Sequence, residues 1–306
     1  MHLGAGSGSH AEQTGRIMLA FEKLLVERRP SLVVVAGDVN STLACSIVAA
    51  KANVPVAHLE AGLRSGDWTM PEEINRIVTD RLTQLHLTPS PDADENLQRE
   101  GVDPKSIVRV GNCMIDSLVT HVETARRGGA LTRFGGTARR VALATLHRPS
   151  NVDAPERLAR LVRVLSTIGD RLPVVFPVHP RTRARLEAAA VPLTELPARG
   201  ILLSEPLGYL DFLQLEDSAA VVITDSGGVQ EETTALGVPC LTVRDNTERP
   251  ITLTDGTNKL VGSNPDVLPG EVNAVLSGQT RRGKVPELWD GKAGERAAAA
   301  IRRFLS

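Results

Sequence analysis

Cysteine is nearly absent from this chain of 306 residues: Cys45, Cys113 and Cys240 are scattered along it. An odd set without paired spacing excludes a disulfide framework and a structural metal site, and reads as the reduced, buried thiols of a cytoplasmic protein. A charge excess is also missing. The 35 basic and 36 acidic side chains remove the electrostatic footprint of a nucleic-acid or membrane-surface protein. No apolar run reaches membrane-spanning length, and the N-terminus has neither the basic region nor the apolar core of a signal peptide. Internal repeats and low-complexity segments are lacking too. Aromatic residues are only 3% of the chain, so Tyr209 and Phe212 stand out. Either could stack on a base, although core packing is the commoner role.

What is present is a regular alternation. The length favours two domains, each able to bury its own core. Apolar runs alternate with helical patterns, which predicts parallel βα units. In the first half, strands are expected at Leu32 to Ala36, Val54 to Leu59, Leu85 to Thr88 and Ile107 to Val110, with helices over Ala11 to Arg28 and Ser41 to Ala52. A Gly-, Arg- and Thr-rich stretch at 125–138 reads as a linker between a first domain, 1–124, and a second, 139–290. The second half is expected to place strands at Val141 to Thr145, Val174 to Val178, Ile201 to Ser204, Ala220 to Ile223 and Pro239 to Val243. An amphipathic helix over 291–306 ends the chain.

The strands end on polar residues: Asp38, Glu60, His147, His179, Asp225-Ser226 and Arg244-Asp245. Ligands of open parallel sheets bind outside the carboxyl ends of the strands. The most informative stretch is Thr224-Asp225-Ser226-Gly227-Gly228-Val229-Gln230-Glu231-Glu232. A buried strand, a glycine turn and a helix start leave free N–H groups that suit a phosphate, and Glu232 lies one turn in, where it could accept sugar hydroxyls. The competing reading is a glycine turn that packs a helix close to a sheet.

Other candidates carry similar pairs of readings. Asp38 could serve chemistry or cap a helix. Glu72 and Glu73 follow Pro71 at a helix start, where acids commonly complement the helix dipole. Glu60 after an apolar strand needs a partner or a task, and Arg64 could be the partner. His147 beside Arg148 makes a cationic locus for a diphosphate, although a lone strand-end histidine is more often structural. His179 is a weaker case of the same kind. Arg249 is a candidate phosphate or ribose ligand on a loop. The Gly6–His10 segment reads as a lead-in to the first helix.

Six ordered strings now carry a resemblance: Gly37-Asp38-Val39-Asn40-Ser41-Thr42, His58-Leu59-Glu60-Ala61-Gly62-Leu63-Arg64, Pro71-Glu72-Glu73-Ile74-Asn75-Arg76, Thr145-Leu146-His147-Arg148, Asp225 to Glu232, and Thr247-Glu248-Arg249-Pro250. Over essentially its whole length the chain resembles the non-hydrolysing UDP-N-acetylglucosamine 2-epimerases. The resemblance implies two Rossmann-like domains of the glycosyltransferase-B type around an interdomain cleft, with the terminal helix returning to the first. It implies that Ser226, Gly227 and Gly228 hold the diphosphate, Glu232 the ribose, and Arg249 and Phe212 the rest of UDP. Asp38, Glu60 and Glu72 match the carboxylates around the sugar, His147 lies near phosphate or sugar, and Arg148 matches a regulatory-site arginine.

Neither metal nor cofactor is implied, and a homodimer is expected. The bacterial pattern His-Arg-Arg-Glu-Asn is His-Arg-Pro-Ser-Asn here, at 147–151. The chain also begins at Met1-His2-Leu3-Gly4, inside the family's first domain. Its first βα segment and Gly-Thr-Arg-Pro-Glu turn are therefore expected to be missing, which points to a start codon placed too late. Two further activities fit the same motifs: epimerisation of another UDP-2-acetamido sugar, and glycosyl transfer on the same fold.

Overall fold

The structure, a computed structural model, describes residues 3–137 and 140–306. Met1, His2 and the end of the expected linker at 138, with the expected domain start at 139, lie outside the described residues. The chain divides into two compact units: 1–116 with 287–306, and 117–286.

The first unit opens with α1 (His10–Arg28), whose N-cap Ser9 and residue Glu12 form a reciprocal capping box. Then β1 (Val33–Ala36), α2 (Asn40–Lys51), β2 (Val56–Leu59), α3 (Pro71–Leu82), β3 (Leu85–Thr88), α4 (Pro91–Arg99) and β4 (Ile107–Arg109) alternate. The four strands pair in chain order, all parallel. Val33, Val35 and Val56 pack with Leu25 of α1 and Val48 and Ala49 of α2, whereas Ala57, Leu85 and Leu87 belong to a second cluster. That cluster is closed by Ala297 and Ala300 of the last helix, α14 (Ala293–Leu305). Its N-terminus is capped from far away in sequence: the Asp116 carboxylate accepts the Ala293 and Gly294 N–H groups at 3.0 and 2.7 Å. Just before it, buried Trp289 donates its indole N–H to the Pro89 carbonyl at 3.0 Å.

Helix α5 (Cys113–Arg126) contains the boundary between the units, and α6 (Ala130–Arg133) follows, so 125–133 is mostly helical. The second unit runs β5 (Ala142–Thr145), α7 (Pro149–Val152), α8 (Pro155–Gly169), β6 (Val174–Pro177), α9 (Pro180–Ala188), β7 (Ile201–Ser204), α10 (Tyr209–Ser218), β8 (Val221–Thr224), α11 (Gly227–Leu236), β9 (Cys240–Thr242), α12 (Ile251–Thr254), β10 (Asn258–Leu260) and α13 (Leu268–Leu276). Its six parallel strands lie in the order β10-β9-β8-β5-β6-β7. Alternation along the strands feeds two cores. Ala142, Ala144, Val174, Phe176, Val221 and Ile223 share one with α8 residues Leu158, Leu161 and Leu165, while Leu143, Val175 and Val222 share the other with Leu215 and Val229. Each buried aliphatic side chain of this kind contributes roughly 1.5–3 kcal/mol. Strand β10 was not anticipated, because Asn258 and Lys259 give it no apolar run.

Both units are Rossmann-like α/β layers. Trp289→Ala removes the buried anchor of the terminal segment and should cost about 3–5 kcal/mol. Hydrogen exchange by mass spectrometry should show the protection of 287–305 falling first; protection equal to the parent's would mean that α14 is held without its tryptophan.

Candidate active site

The strand order of the second unit reverses between β5 and β8, the place where open α/β sheets bind ligands. Both strands end there on site residues. Beyond β8, Asp225 is fully buried and acts as a clamp. Its carboxylate accepts the His147 N–H at 3.1 Å, the Arg148 N–H at 3.0 Å and the Asn151 side-chain amide at 3.0 Å. It thereby ties the turn after β5 to the start of α11. Ser226 is the N-cap residue of α11 but makes no side-chain cap bond to the first turn. The N-terminal N–H groups of α11 beside Ser226, Gly227 and Gly228 are of the kind that binds a phosphate. Gly227 also has a packing reason: a Cβ there would stand 2.6 Å from Arg249 Nη1 and 2.7 Å from Glu248 Oε1.

Arg249 is buried, with Nε 2.7 Å from Glu231 and Nη1 2.6 Å from Glu248. Glu248 also accepts from Arg244 at 2.8 Å, and Arg148 lies 3.7 Å from it. His147 stands 3.2 Å from Asp225. Burial pushes its pKa down, and the charges of Arg148, His179 and Arg244 add to this against the attraction of Asp225. Phe212 is half-buried and packs against the edge of the second core.

Glu232 meets Tyr209, read from the sequence only as a base-stacking or core aromatic, and Glu216, which the sequence reading did not mark. The Tyr209 hydroxyl donates to it at 3.0 Å, and fully buried Glu216 lies against it. Two ionised carboxylates would leave both Glu216 oxygens without a donor in the interior. A proton on Glu216 turns the contact into a hydrogen bond to Glu232. Burial, then the neighbouring Glu232 charge, raises Glu216 well above the usual carboxylate range, and burial raises Glu232. An acid between Leu215 and the helix end was the only available signal.

In the first unit, register brings two candidate turns together. Ala36 pairs with Leu59, and the Gly37 N–H donates to the Leu59 carbonyl at 3.1 Å, so Asp38 and Glu60 follow adjacent strand ends. Arg76 of α3 donates to Asp38 Oδ2 from Nε at 3.0 Å and Nη2 at 2.6 Å. Glu72 is half-buried one helical turn before Arg76. Its neighbour Glu73 faces inward instead, accepting the Ser65 and Gly66 N–H groups and pairing with Arg76 at 2.7 Å. Glu73 therefore orders the 60–70 loop. Glu60 holds a positive φ of 67°, a conformation that non-glycine residues rarely adopt and that often accompanies functional sites. Arg64, anticipated as the Glu60 partner, pairs with Asp80 at 2.8 Å and Glu100 at 2.8 Å instead. His58 and Asp80 are two buried residues beneath these turns that sequence reasoning passed over. Among the described residues no cluster of three or more His, Cys, Asp or Glu could hold a metal ion, and no helix is long and apolar enough to cross a membrane.

Two Rossmann-like units, one with an anion-suited helix start at its switch point, place the chain in the α/β class of the glycosyltransferase-B type. Comparison with known proteins narrows the class. The sequence profile of the UDP-N-acetylglucosamine 2-epimerases matches residues 1–302. The chain belongs to the UDP-N-acetylglucosamine 2-epimerase family, whose members are isomerases. It is 42% identical to the UDP-N-acetylglucosamine 2-epimerase of Methanocaldococcus jannaschii, over 96% of this chain and 81% of that protein. It is 40% identical to the UDP-2,3-diacetamido-2,3-dideoxy-D-glucuronate 2-epimerase of Pseudomonas aeruginosa, over 98% of this chain and 81% of the relative. The crystal structure of the M. jannaschii enzyme in complex with UDP-GlcNAc and UDP superposes with a TM-score of 0.89 at 41% identity, over 98% of this chain and 83% of that one.

A neutral Glu216 makes stability fall as pH rises through its raised pKa, since the unfolded acid ionises at ordinary pH. Glu216→Gln keeps a donor toward Glu232 without that loss. Its thermal midpoint should match the parent near pH 5 and exceed it by roughly 2–4 °C near pH 8.5, the shift for about 1 kcal/mol. Parallel pH profiles in calorimetry would show that Glu216 is ionised in the folded chain.

Proposed function

We propose that this chain interconverts UDP-N-acetylglucosamine and UDP-N-acetylmannosamine by anti elimination of UDP and its re-addition. The C2 hydrogen of an N-acetylhexosamine is not acidic, so direct deprotonation is closed. Elimination across C1 and C2 avoids the difficulty. A carboxylate takes the C2 proton while the C1–O bond breaks, and the electron pair of the C2–H bond becomes the double bond of 2-acetamidoglucal. UDP departs with the electrons of the C1–O bond. Protonation at C2 from the opposite face and return of UDP to C1 give the epimer. Two faces call for two proton-transfer groups, and Asp38, Glu60 and Glu72 are the candidates.

In this reading the start of α11 at Ser226, Gly227 and Gly228 holds the diphosphate and stabilises its developing charge. Glu232 accepts the ribose hydroxyls, Arg249 and Phe212 complete the UDP site, and His147 lies near the phosphate or sugar. Arg148 belongs to a second, regulatory substrate position. The carrying observation is Asp38 and Glu60 at adjacent strand ends of the first unit, with Glu72 on helix α3 of the same unit, in a chain of this family. A sugar transferase of the same fold would need the phosphate site but not Asp38, Glu60 and Glu72.

A second reading, epimerisation of another UDP-2-acetamido sugar, is favoured by the 40% identity with the P. aeruginosa enzyme, close to the 42% shared with the M. jannaschii one. Proton NMR in D2O distinguishes them. The expected outcome is deuterium at C2 and the appearance of UDP-N-acetylmannosamine from UDP-N-acetylglucosamine. Exchange with UDP-2,3-diacetamido-2,3-dideoxy-D-glucuronate alone would select the second reading, and transfer to an acceptor without exchange would overturn both.

Glu60→Gln should lower turnover by about 10²-fold or more while UDP still binds, the size of a lost acid–base group. Near-parental turnover would remove Glu60 from the chemistry. Gly228→Val should weaken UDP binding by about tenfold or more in calorimetry, because a branched side chain would shield the helix start. Unchanged affinity would place the diphosphate elsewhere.

A further inference from the structure

His58 lies at the centre of the first unit, fully buried, two residues before Glu60. Both of its ring nitrogens face oxygen atoms. Nδ1 is 2.6 Å from Asp80 Oδ1 and Nε2 is 2.8 Å from the Gly37 carbonyl oxygen. A carboxylate and a carbonyl only accept, so satisfying both requires a hydrogen on each nitrogen. A neutral ring would aim one lone pair at an oxygen in the interior, where such contacts are costly.

We propose that His58 is held as an imidazolium and acts as a positioning residue, locking the Gly37-Asp38 turn to the Glu60–Gly62 turn. This rests on the reading of Asp38 and Glu60 as acid–base groups. One arm of the lock holds the Gly37 carbonyl, immediately before Asp38. The other runs through Asp80, whose second oxygen accepts the Gly62 N–H at 3.0 Å and pairs with Arg64 at 2.8 Å. Gly62 has little freedom to move otherwise: it sits at φ +83°, and a Cβ there would lie 2.4 Å from the Ala93 carbonyl oxygen. The imidazolium thus connects two turns through hydrogen bonds that a neutral ring cannot make together.

The surroundings sustain the charge. Burial alone would lower the His58 pKa, but the hydrogen bond and charge of Asp80, then the Gly37 carbonyl and Glu60, raise it overall. Asp80 is lowered in turn, since His58 and Arg64 outweigh its burial. On the neighbouring strand, His86 pairs in register with His58 and directs Nε2 at the Asp80 backbone carbonyl, 2.9 Å away. Helix α2 brings Cys45 to the adjoining core, its thiol raised to about 11 by burial and so uncharged. The sign follows: the lock is present below the raised pKa of His58 and is lost as pH climbs through it.

Nitrogen-15 NMR of histidine-labelled protein tests the charge without any substrate. At pH 7.5 both ring nitrogens of His58 should resonate as protonated imidazolium, identified by their loss in His58→Gln. Should that variant not fold, Asp80→Asn identifies them, because it removes the countercharge and should let the ring titrate at lower pH. A neutral His58 at pH 7.5 in the parent overturns the proposal, whatever the substrate proves to be. The consequence for turnover is separate. Asp80→Asn should lower kcat by roughly 10- to 100-fold, as a small misplacement does, and move the alkaline limb of the pH profile to lower pH. UDP affinity should stay within about twofold. A parental kcat with an unmoved limb would show that the charge is structural only. Absence of C2 exchange in the parent would instead count against the epimerase reading and leave the NMR result standing.

Discussion

A carboxylate taken out of water must find cations or N–H donors, and this requirement organises both units at the ends of their strands. Asp80, Glu73 and Asp225 are each almost wholly buried, and each gathers the backbone of a turn that carries candidate chemistry. Asp80 takes the Gly62 N–H, Glu73 takes those of Ser65 and Gly66, and Asp225 takes those of His147 and Arg148. The turns at the carboxyl ends of parallel strands are otherwise free to wander, because their backbone groups lie beyond the ladder. A buried anion at the root of each turn removes that freedom. Replacing such a group with an apolar one need not weaken a protein, but removing one partner leaves the other stranded. These residues therefore fix geometry more than they add stability.

The division of labour along α3 shows how closely structural and chemical acids can sit. Glu72 and Glu73 are neighbours in sequence at a proline-started helix, yet they point to different surroundings. Glu73 is buried against Arg76 and the 65–66 backbone, while Glu72 is half-buried. Arg76 bridges the two kinds of acid, since it holds both Glu73 and Asp38. In the second unit, Glu231 pairs with Arg249, whereas Glu232 meets Tyr209 and Glu216. Helical rotation of about 100° per residue separates adjacent acids into different environments, so a carboxylate pair in a sequence is rarely a pair in space.

Much of the fold was legible because parallel strands buried on both faces must be written as short apolar runs. Leu85 to Thr88 and Val221 to Thr224 are such runs, and each lies within a residue or two of its expected place. Asn258 to Leu260 escaped because an edge strand with one neighbour needs little apolar surface. The short helix at 130–133 escaped as well, since it lies in a stretch whose glycines and arginines read as unstructured. The candidate site was legible where polar residues interrupt an apolar pattern at a strand end, as at Asp38, Glu60 and His147. Residues such as Asp80 and Glu216, in the last turns of helices, carry no comparable mark.

By itself the sequence determined the layered α/β plan, the strand ends where polar groups gather, and, through six ordered strings, the family. Hydrophobic periodicity and local turn chemistry encode these, and both are properties of neighbouring residues. Only the tertiary structure decided which charges meet. That His58 faces Asp80 across 22 positions, that Arg64 answers Asp80 and Glu100, and that Glu216 lies against Glu232 are outcomes of strand register and helix packing. The protonation of a buried group depends on such partners and on lost solvation, and neither is a property of the residue alone.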